Sequence, residues 1–372
     1  MNIIINISNN LGGGGLQVAL SVLKELKNIN EHTYYVFLGV NAAKQICKET
    51  FPSNFTFYDI PKVKFWQLHK VLKPLEKQIK ADVVFTVFGP SYWKPKSPHL
   101  MGFAYPHYVY GEYAFLKHIP RLQKIKLKLK QWIHLYLFKH QADHIVVETE
   151  DVQKRLKKKL RVETVSVVSN TCGSQYLNPT TYPNKLPNRK NQEVRLITIT
   201  KYYPHKNLES IPLVLQELYM RNINNITFVL TLEKEEYEKI IPSEWHSRVY
   251  NVGPVPVEKC PSLYQECDLL YLPTLLECFS ASYPEAMVMQ KPILTSDLSF
   301  AHSICESAAL YFDPFSVKDI SDKIESIINE QDLQNELIIE GRKRFVAFGS
   351  ARDRAEKYLQ LCKELTFKEN LK

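Results

Sequence analysis

The cysteines of this chain form no framework. Seven are present, at positions 47, 172, 260, 267, 278, 305 and 362, an odd and widely scattered set with no Cys-x-x-Cys pair. That pattern argues against a disulfide scaffold and against a zinc site, and reads most simply as free thiols in a reducing cytoplasm. Long apolar runs are also missing: none approaches the roughly 18 residues that a membrane-spanning helix needs. No basic stretch or small-residue cleavage site precedes Ile3-Ile4-Ile5, so no signal peptide is expected. Glycine is sparse, with 12 in 372 residues, which rules out collagen-like and glycine-rich disordered classes. Acids are locally absent, none falling between Glu112 and Asp143.

What is present is ordinary for a globular protein: 45% hydrophobic and 23% charged residues. The length predicts two domains of common size. The net charge of +9 favours anionic partners such as nucleotides, phospholipid headgroups or nucleic acid. No nucleic-acid recognition motif accompanies it, so nucleic acid is not an expected partner.

The chain opens with a short apolar run, Ile3 to Ser8, of the kind that forms a strand buried on both faces. Four glycines follow, Gly12 to Gly15, and then Leu16, Ala19, Leu20, Leu23 and Leu26 at helical spacing. Further strands are predicted at 34–38, 83–88, 100–103, 145–148 and 165–168. Residues 176–192, with Pro179, Pro183 and Pro187 among polar residues, read as an interdomain linker. The alternation then restarts, with strands at 195–200, 227–230, 248–252, 269–272 and 293–295, helices at 208–218 and 320–328, and a last helix over 351–365. Strand–helix alternation in both halves predicts an α/β protein of two Rossmann-like domains, parallel sheets flanked by helices, facing a cleft. The expected boundaries are 1–178, a linker over 179–192, 193–348, and a terminal segment 349–372.

Two carboxylates eight residues apart, Glu277 and Glu285, bracket the start of a helix. Backbone N–H groups there suit a diphosphate, and the helix dipole adds to the attraction. A carboxylate before the helix can hold sugar hydroxyls, and one beyond its first turn can accept from a ribose diol. By spacing alone, the plainer reading is a loop acid and a helix acid matched to the dipole. Lys201 and Lys206 lie on a loop between a strand ending at Thr200 and a helix expected near Asn207. They suit a departing diphosphate; the plain alternative is two surface lysines. Gly12 to Gly15 is a weak dinucleotide fingerprint, lacking the Gly-x-Gly-x-x-Gly spacing and the later acid.

The second half resembles the family 4, or group 1, glycosyltransferases, whose fold is GT-B. The resemblance rests on Glu277, Glu285-Ala286 and Lys291-Pro292-Ile293-Leu294-Thr295-Ser296-Asp297, with Tyr264, Asp268-Leu269-Leu270 and Pro273-Thr274 upstream and Ala308 to Pro314, the family's next strand, downstream. It implies a metal-independent, retaining hexosyltransferase that moves a sugar from a nucleoside diphosphate to a glycan or lipid-linked acceptor in surface polysaccharide synthesis. It assigns Glu277 to the sugar, Lys206 and Lys201 to the diphosphate, His107 near the sugar's C6 hydroxyl, Glu285 to the ribose, and Gly14, Gly15, Phe279, Ser280 and Ala281 to the donor. His107 is preferred to His99, which is expected to precede its strand. The resemblance also implies that the C-terminal helix, 349–372, crosses back to the first domain. No cofactor or metal is expected, and no Asp-x-Asp occurs.

Two departures from the family pattern stand out. Lys201 takes an arginine position, losing a bidentate fork. Cys278-Phe279-Ser280 replaces Gly-Phe-Gly, narrowing the room beside the donor. The stretch Lys117 to Lys139, with cations interleaved with Leu, Ile and Trp132, reads either as a solvated helix face or as a helix on an anionic membrane. The expected location is therefore cytoplasmic, with peripheral attachment to the inner membrane face as one reading. The rival functions are another nucleotide-sugar enzyme, an epimerase or phosphorylase, and a non-catalytic nucleotide- or membrane-binding module.

Overall fold

The computed structural model describes residues 1–9, 12–110 and 121–370. They form two compact units. The first comprises Met1–Asn170 together with Ser350–Lys372, and the second Thr171–Gly349.

The first unit contains β1 (Asn2–Ile7), β2 (Thr33–Leu38), β3 (Phe55–Asp59), β4 (Val83–Thr86), β5 (His99–Gly102), β6 (His144–Val147) and β7 (Val165–Val167). They make one parallel sheet in the order β3-β2-β1-β4-β5-β6-β7. A parallel sheet needs helices on both faces, so its central strands must be apolar on both. Ile3, Ile4, Ile5 and Ile7 are accordingly fully buried, as are Val83 and Val84. The outer strand β3 was not anticipated. Its Thr56 and Asp59 are exposed and its Phe57 and Tyr58 half-buried, so it lacks the uniform apolar run by which the central strands are recognised. His99 also departs from expectation: it is the first residue of β5, fully buried, with its ring against Thr86 Oγ1 at 2.8 Å.

The second unit contains β8 (Val194–Thr198), β9 (Ile226–Leu230), β10 (Val249–Asn251), β11 (Leu269–Leu272), β12 (Ile293–Ser296) and β13 (Leu310–Phe312). Again all pairings are parallel, in the order β10-β9-β8-β11-β12-β13. Residues 179–192 have little regular structure, yet they are fastened to this unit. Tyr182 N donates to Ser262 Oγ (3.2 Å), Leu186 N to Glu266 Oε2 (2.9 Å), and Arg189 pairs with Asp268 (2.8 Å). The first unit ends at Asn170 rather than at 178.

The final helix, Ala351–Asn370, belongs to the first unit. Its buried face carries Ala355, Tyr358, Leu359 and Cys362 into the same apolar cluster as Leu16, Ala19 and Leu23. The Tyr358 ring lies 4.8 Å from that of Phe85. Buried Arg354 donates to Asn170 Oδ1 and to Ser21 Oγ, the latter at 2.8 Å. Removing a buried aromatic ring costs about 3–5 kcal/mol. Tyr358→Ala is therefore expected to lower the denaturant midpoint of the first unit markedly, whereas Tyr358→Phe leaves it nearly unchanged. An Ala variant with the normal midpoint in urea unfolding would show that the helix does not complete this core.

Candidate active site

In an open parallel sheet, ligands bind beyond the carboxyl ends of the strands, where the strand order reverses. In the second unit that point lies between β8 and β11, which pair directly. The loops leaving these two strands carry the expected cations and the first expected acid.

After β8 the chain makes a short 3-10 turn, Pro204–Lys206, and then Asn207 takes a left-handed conformation with φ of 56°. The following helix starts at Ser210, three residues later than expected. This turn aims Lys206 across the sheet end. The loop after β11 is stitched to it: Leu275 N donates to His205 O at 2.7 Å, and Asn207 Nδ2 reaches Pro314 O beyond β13 at 3.0 Å. Glu277 lies five positions past the end of β11 on this loop, not at the strand end itself. Its Oε1 accepts from Lys206 Nζ at 2.5 Å and from Thr274 Oγ1 at 3.1 Å. Both charged side chains are 12% exposed. Burial depresses the basicity of the adjacent His205, with Glu277 opposing that effect and Lys206 reinforcing it.

Lys201 has a different environment. It is exposed and makes no ion pair among the described residues. The two expected phosphate cations are thus unequal, one held in an ion pair and one exposed to solvent.

The helix that carries the second acid spans Ser282–Val288, so Glu285 stands in its first turn rather than beyond it. Glu285 keeps partial access to solvent but is enclosed by Tyr176, Tyr264 and Cys260. Burial raises its carboxyl from the ordinary 4.5 to about 7, and hydrogen bonds from Tyr176 and Tyr264 oppose the rise. The Tyr264 hydroxyl is 3.5 Å from Oε2. Between the two acids, Cys278, Phe279 and Ser280 are buried and Ala281 is half-buried. Phe279 packs edge-on against Phe348, ring centres 5.7 Å apart. Thr274, His205 and Tyr176 were not assigned roles from the sequence. Thr274 could have been found from its place in the Pro273-Thr274 pair, but nothing local marks Tyr176, which reaches Glu285 only through the fold.

Residues 181–344 match the family model for glycosyl transferases group 1. The match covers most of the second unit, which is similar to that family. The O-antigen chain mannosyltransferase RfbU of Salmonella typhimurium is 21% identical over 208 residues, which are 55% of this chain and 53% of that protein. The chain thus aligns with about half the length of this curated relative. Solved structures share the fold at lower identity. A glycosyltransferase from Rickettsia africae superposes with a TM-score of 0.72 at 16% identity, covering 98% of each chain. WaaG, a glycosyltransferase of lipopolysaccharide biosynthesis, gives 0.72 at 14% identity, covering 97% of this chain and 99% of its own. HepE of Anabaena, solved with UDP and glucose, gives 0.73 at 13%, covering 98% and 100%. The fold is therefore that of the GT-B glycosyltransferases.

The remaining expected site residues lie in the first unit. There the strand order reverses between β1 and β4, and the glycine turn leaves β1. Gly13 has φ of 66°, open to glycine at little cost. A Cβ at Gly14 would meet nothing within 4 Å, and one at Gly15 would touch Phe88 at 3.4 Å. Asn9 ties this turn to the loop after β4, donating to Phe88 O at 3.0 Å and Pro90 O at 2.7 Å. His107 lies on the short helix Pro106–Val109 after β5, its ring edge-on to Tyr108 at 4.3 Å. It is half-buried in an aromatic cluster with Tyr105 and Tyr108. Among the described residues no cluster of three or more His, Cys, Asp or Glu is arranged to hold a metal.

Glu285 gives a signed pH dependence. Its folded-state value of about 7 exceeds the ordinary 4.5, so the native protein holds a proton that the unfolded chain releases between those values. Folding stability from this group is thus lost as pH rises from 4.5 to 7. Glu285→Gln is expected to melt higher than the parent at pH 8 and alike near pH 4.5. Parallel melting curves across that range would show that the carboxyl is not held above its ordinary value.

Proposed function

We propose that this protein is a group 1 glycosyltransferase, which moves a hexosyl group from a nucleoside-diphosphate sugar to a glycan or lipid-linked acceptor, with retention at the anomeric carbon and without a metal. The observation that carries this reading is the Lys206–Glu277 pair at the strand-order reversal of the second unit. A cation fixed there meets the charge that develops as the sugar–phosphate bond breaks. Lys206 takes that role, and the exposed Lys201 assists on the same diphosphate. Glu277, released from Lys206 as the phosphates draw the cation away, accepts from hydroxyls of the transferred sugar. Glu285 accepts from the ribose diol as a carboxylate, and backbone N–H groups over Phe279, Ser280 and Ala281 face the diphosphate. His107, Gly14 and Gly15 are kept as donor-contacting residues on the resemblance of the sequence.

In a retaining reaction of this kind the acceptor hydroxyl attacks from the side the diphosphate leaves. The carbon–oxygen bond to the donor phosphate breaks, the bond to the acceptor oxygen forms, and the acceptor proton passes to a departing phosphate oxygen. No protein nucleophile is required. The relatives named for O-antigen mannosyl transfer and lipopolysaccharide biosynthesis support an acceptor in surface polysaccharide synthesis, and HepE supports a UDP-sugar among the donors to try first.

The test is binding and turnover of UDP-, GDP-, ADP- and CMP-sugars with and without EDTA, with the product anomer read by NMR. One donor is expected to stabilise the protein and turn over equally in both conditions, yielding the donor's own anomer. Removing a fixed cation of this type costs on the order of 10²- to 10³-fold in rate. Lys206→Ala is expected to show such a loss, and Lys201→Ala a smaller one. Donor affinity is expected to fall below pH 7 as Glu285 takes up its proton. A Lys206→Ala variant with normal transfer would overturn the site assignment. Failure to bind any donor would favour a non-catalytic module, with Cys278→Gly and Ser280→Gly the variants that then restore or fail to restore binding.

A further inference from the structure

Two stretches of the first unit, both near exposed aromatic side chains, carry cations and no acid. Residues 60–75 contain four lysines and no acid, and residues 113–142 contain seven cations and no acid. These eleven charges exceed the whole net charge of +9, so the rest of the chain is slightly acidic. Of the second stretch, Lys117 to Pro120 lie outside the described residues; Arg121–Gln141 is a helix of 21 residues.

That helix is oriented the unusual way round. Its buried side is short, with His134 and Phe138. The His134 ring is clasped between the hydroxyls of Tyr92 (2.9 Å) and Tyr108 (3.0 Å), which fixes the helix rotation. Its apolar stripe faces outward. Leu122, Ile125, Leu129, Trp132 and Tyr136 are 76%, 62%, 57%, 66% and 53% exposed. At 3.6 residues per turn their spacing confines them to a stripe about 80° wide. Lys126 and Lys130 border it on one side, and Arg121, Lys128 and Lys139 on the other. A soluble helix turns such a stripe inward.

The other basic stretch provides an independent apolar element. In the loop between β3 and the helix Leu68–Ile79, Phe65 and Trp66 are 52% and 54% exposed, flanked by Lys62 and Lys64. The Phe65 ring packs on Tyr92 at 5.1 Å, the same tyrosine whose hydroxyl meets His134. Both elements therefore hang on one residue.

We propose that the loop Lys62–Trp66 and the outward stripe of Arg121–Gln141 form one docking surface for an anionic lipid bilayer. The helix lies in the headgroup plane, with Leu129 and Trp132 in the acyl boundary and its two rows of cations against lipid phosphates. Lysine rows bordering an apolar stripe match that interface, and exposed tryptophans favour the headgroup level. A second copy of the chain is a poor occupant, since it would bring rows of like charge to the same face. A soluble polyanion would satisfy the lysines and leave the stripe in water.

The test is sedimentation of the full chain with phosphatidylglycerol–phosphatidylcholine vesicles and with phosphatidylcholine alone. Binding at low salt is expected to be at least about tenfold tighter to the anionic vesicles, and to weaken as salt shortens the range of the charges. Lys126→Glu with Lys130→Glu is expected to abolish it. Leu129→Ser with Trp132→Ser, and Trp66→Ser alone, should each weaken vesicle binding while leaving binding to duplex DNA unchanged. Melting temperature and donor binding are read in parallel, which separates this proposal from the transferase reading. Should a variant misfold, quenching of tryptophan emission by brominated lipid in the unsubstituted protein decides instead, with quenching expected. Equal binding to both vesicles, absence of quenching, or apolar variants that bind vesicles normally would overturn the proposal, the last in favour of a polyanion partner.

Discussion

Lys206 and Glu277 are 71 residues apart in sequence, and each is nearly buried. A lone charge in that position would be costly, and removing one member of such a pair typically costs about 3–5 kcal/mol because the other is stranded. The local structure is consistent with this demand. The 3-10 turn ends in a left-handed Asn207, the bond from Leu275 N to His205 O joins the two loops, and Thr274 fills the remaining side of the carboxylate. The loops at the end of the second sheet are held to one another by the chemistry they present to a ligand. A nucleotide sugar entering there would replace one balanced set of charges with another.

Parallel sheet topology puts that pair where it is. Each strand of a parallel sheet must return by a crossover, so the loops beyond the carboxyl ends of the strands gather on one edge. At β8 and β11 the crossovers run in opposite directions along the sheet, leaving a gap between the loops. The first unit repeats the arrangement at β1 and β4, with glycines where the second has lysines.

The sequence made the central strands plain because burial on both faces leaves an unbroken apolar signature. Ile3 to Ile7 and Leu269 to Leu272 are cases in point. It was silent on β3, an outer strand in which exposed Thr56 and Asp59 interrupt the apolar run. The two acids and the two lysines of the candidate site were legible from their motif. The inequality between Lys201 and Lys206 was not, since it depends on a turn that aims one and leaves the other in solvent. The enclosure of Glu285 was equally hidden. Tyr176 lies more than a hundred positions away and in a segment whose prolines suggested a simple linker, yet that segment is bound along its length to the second unit.

The return of the last helix to the first unit bears on the order in which the protein can be made. Domains emerging from a ribosome generally fold in turn from the amino end. Here the stretch from Met1 to Asn170 leaves first but lacks Tyr358, Leu359 and Cys362, which fill its apolar cluster. The intervening unit is complete in sequence by Gly349, before any of those side chains has been added. The half that is translated first is thus the half that closes last, and its open face must be kept from other chains until the final twenty or so residues arrive.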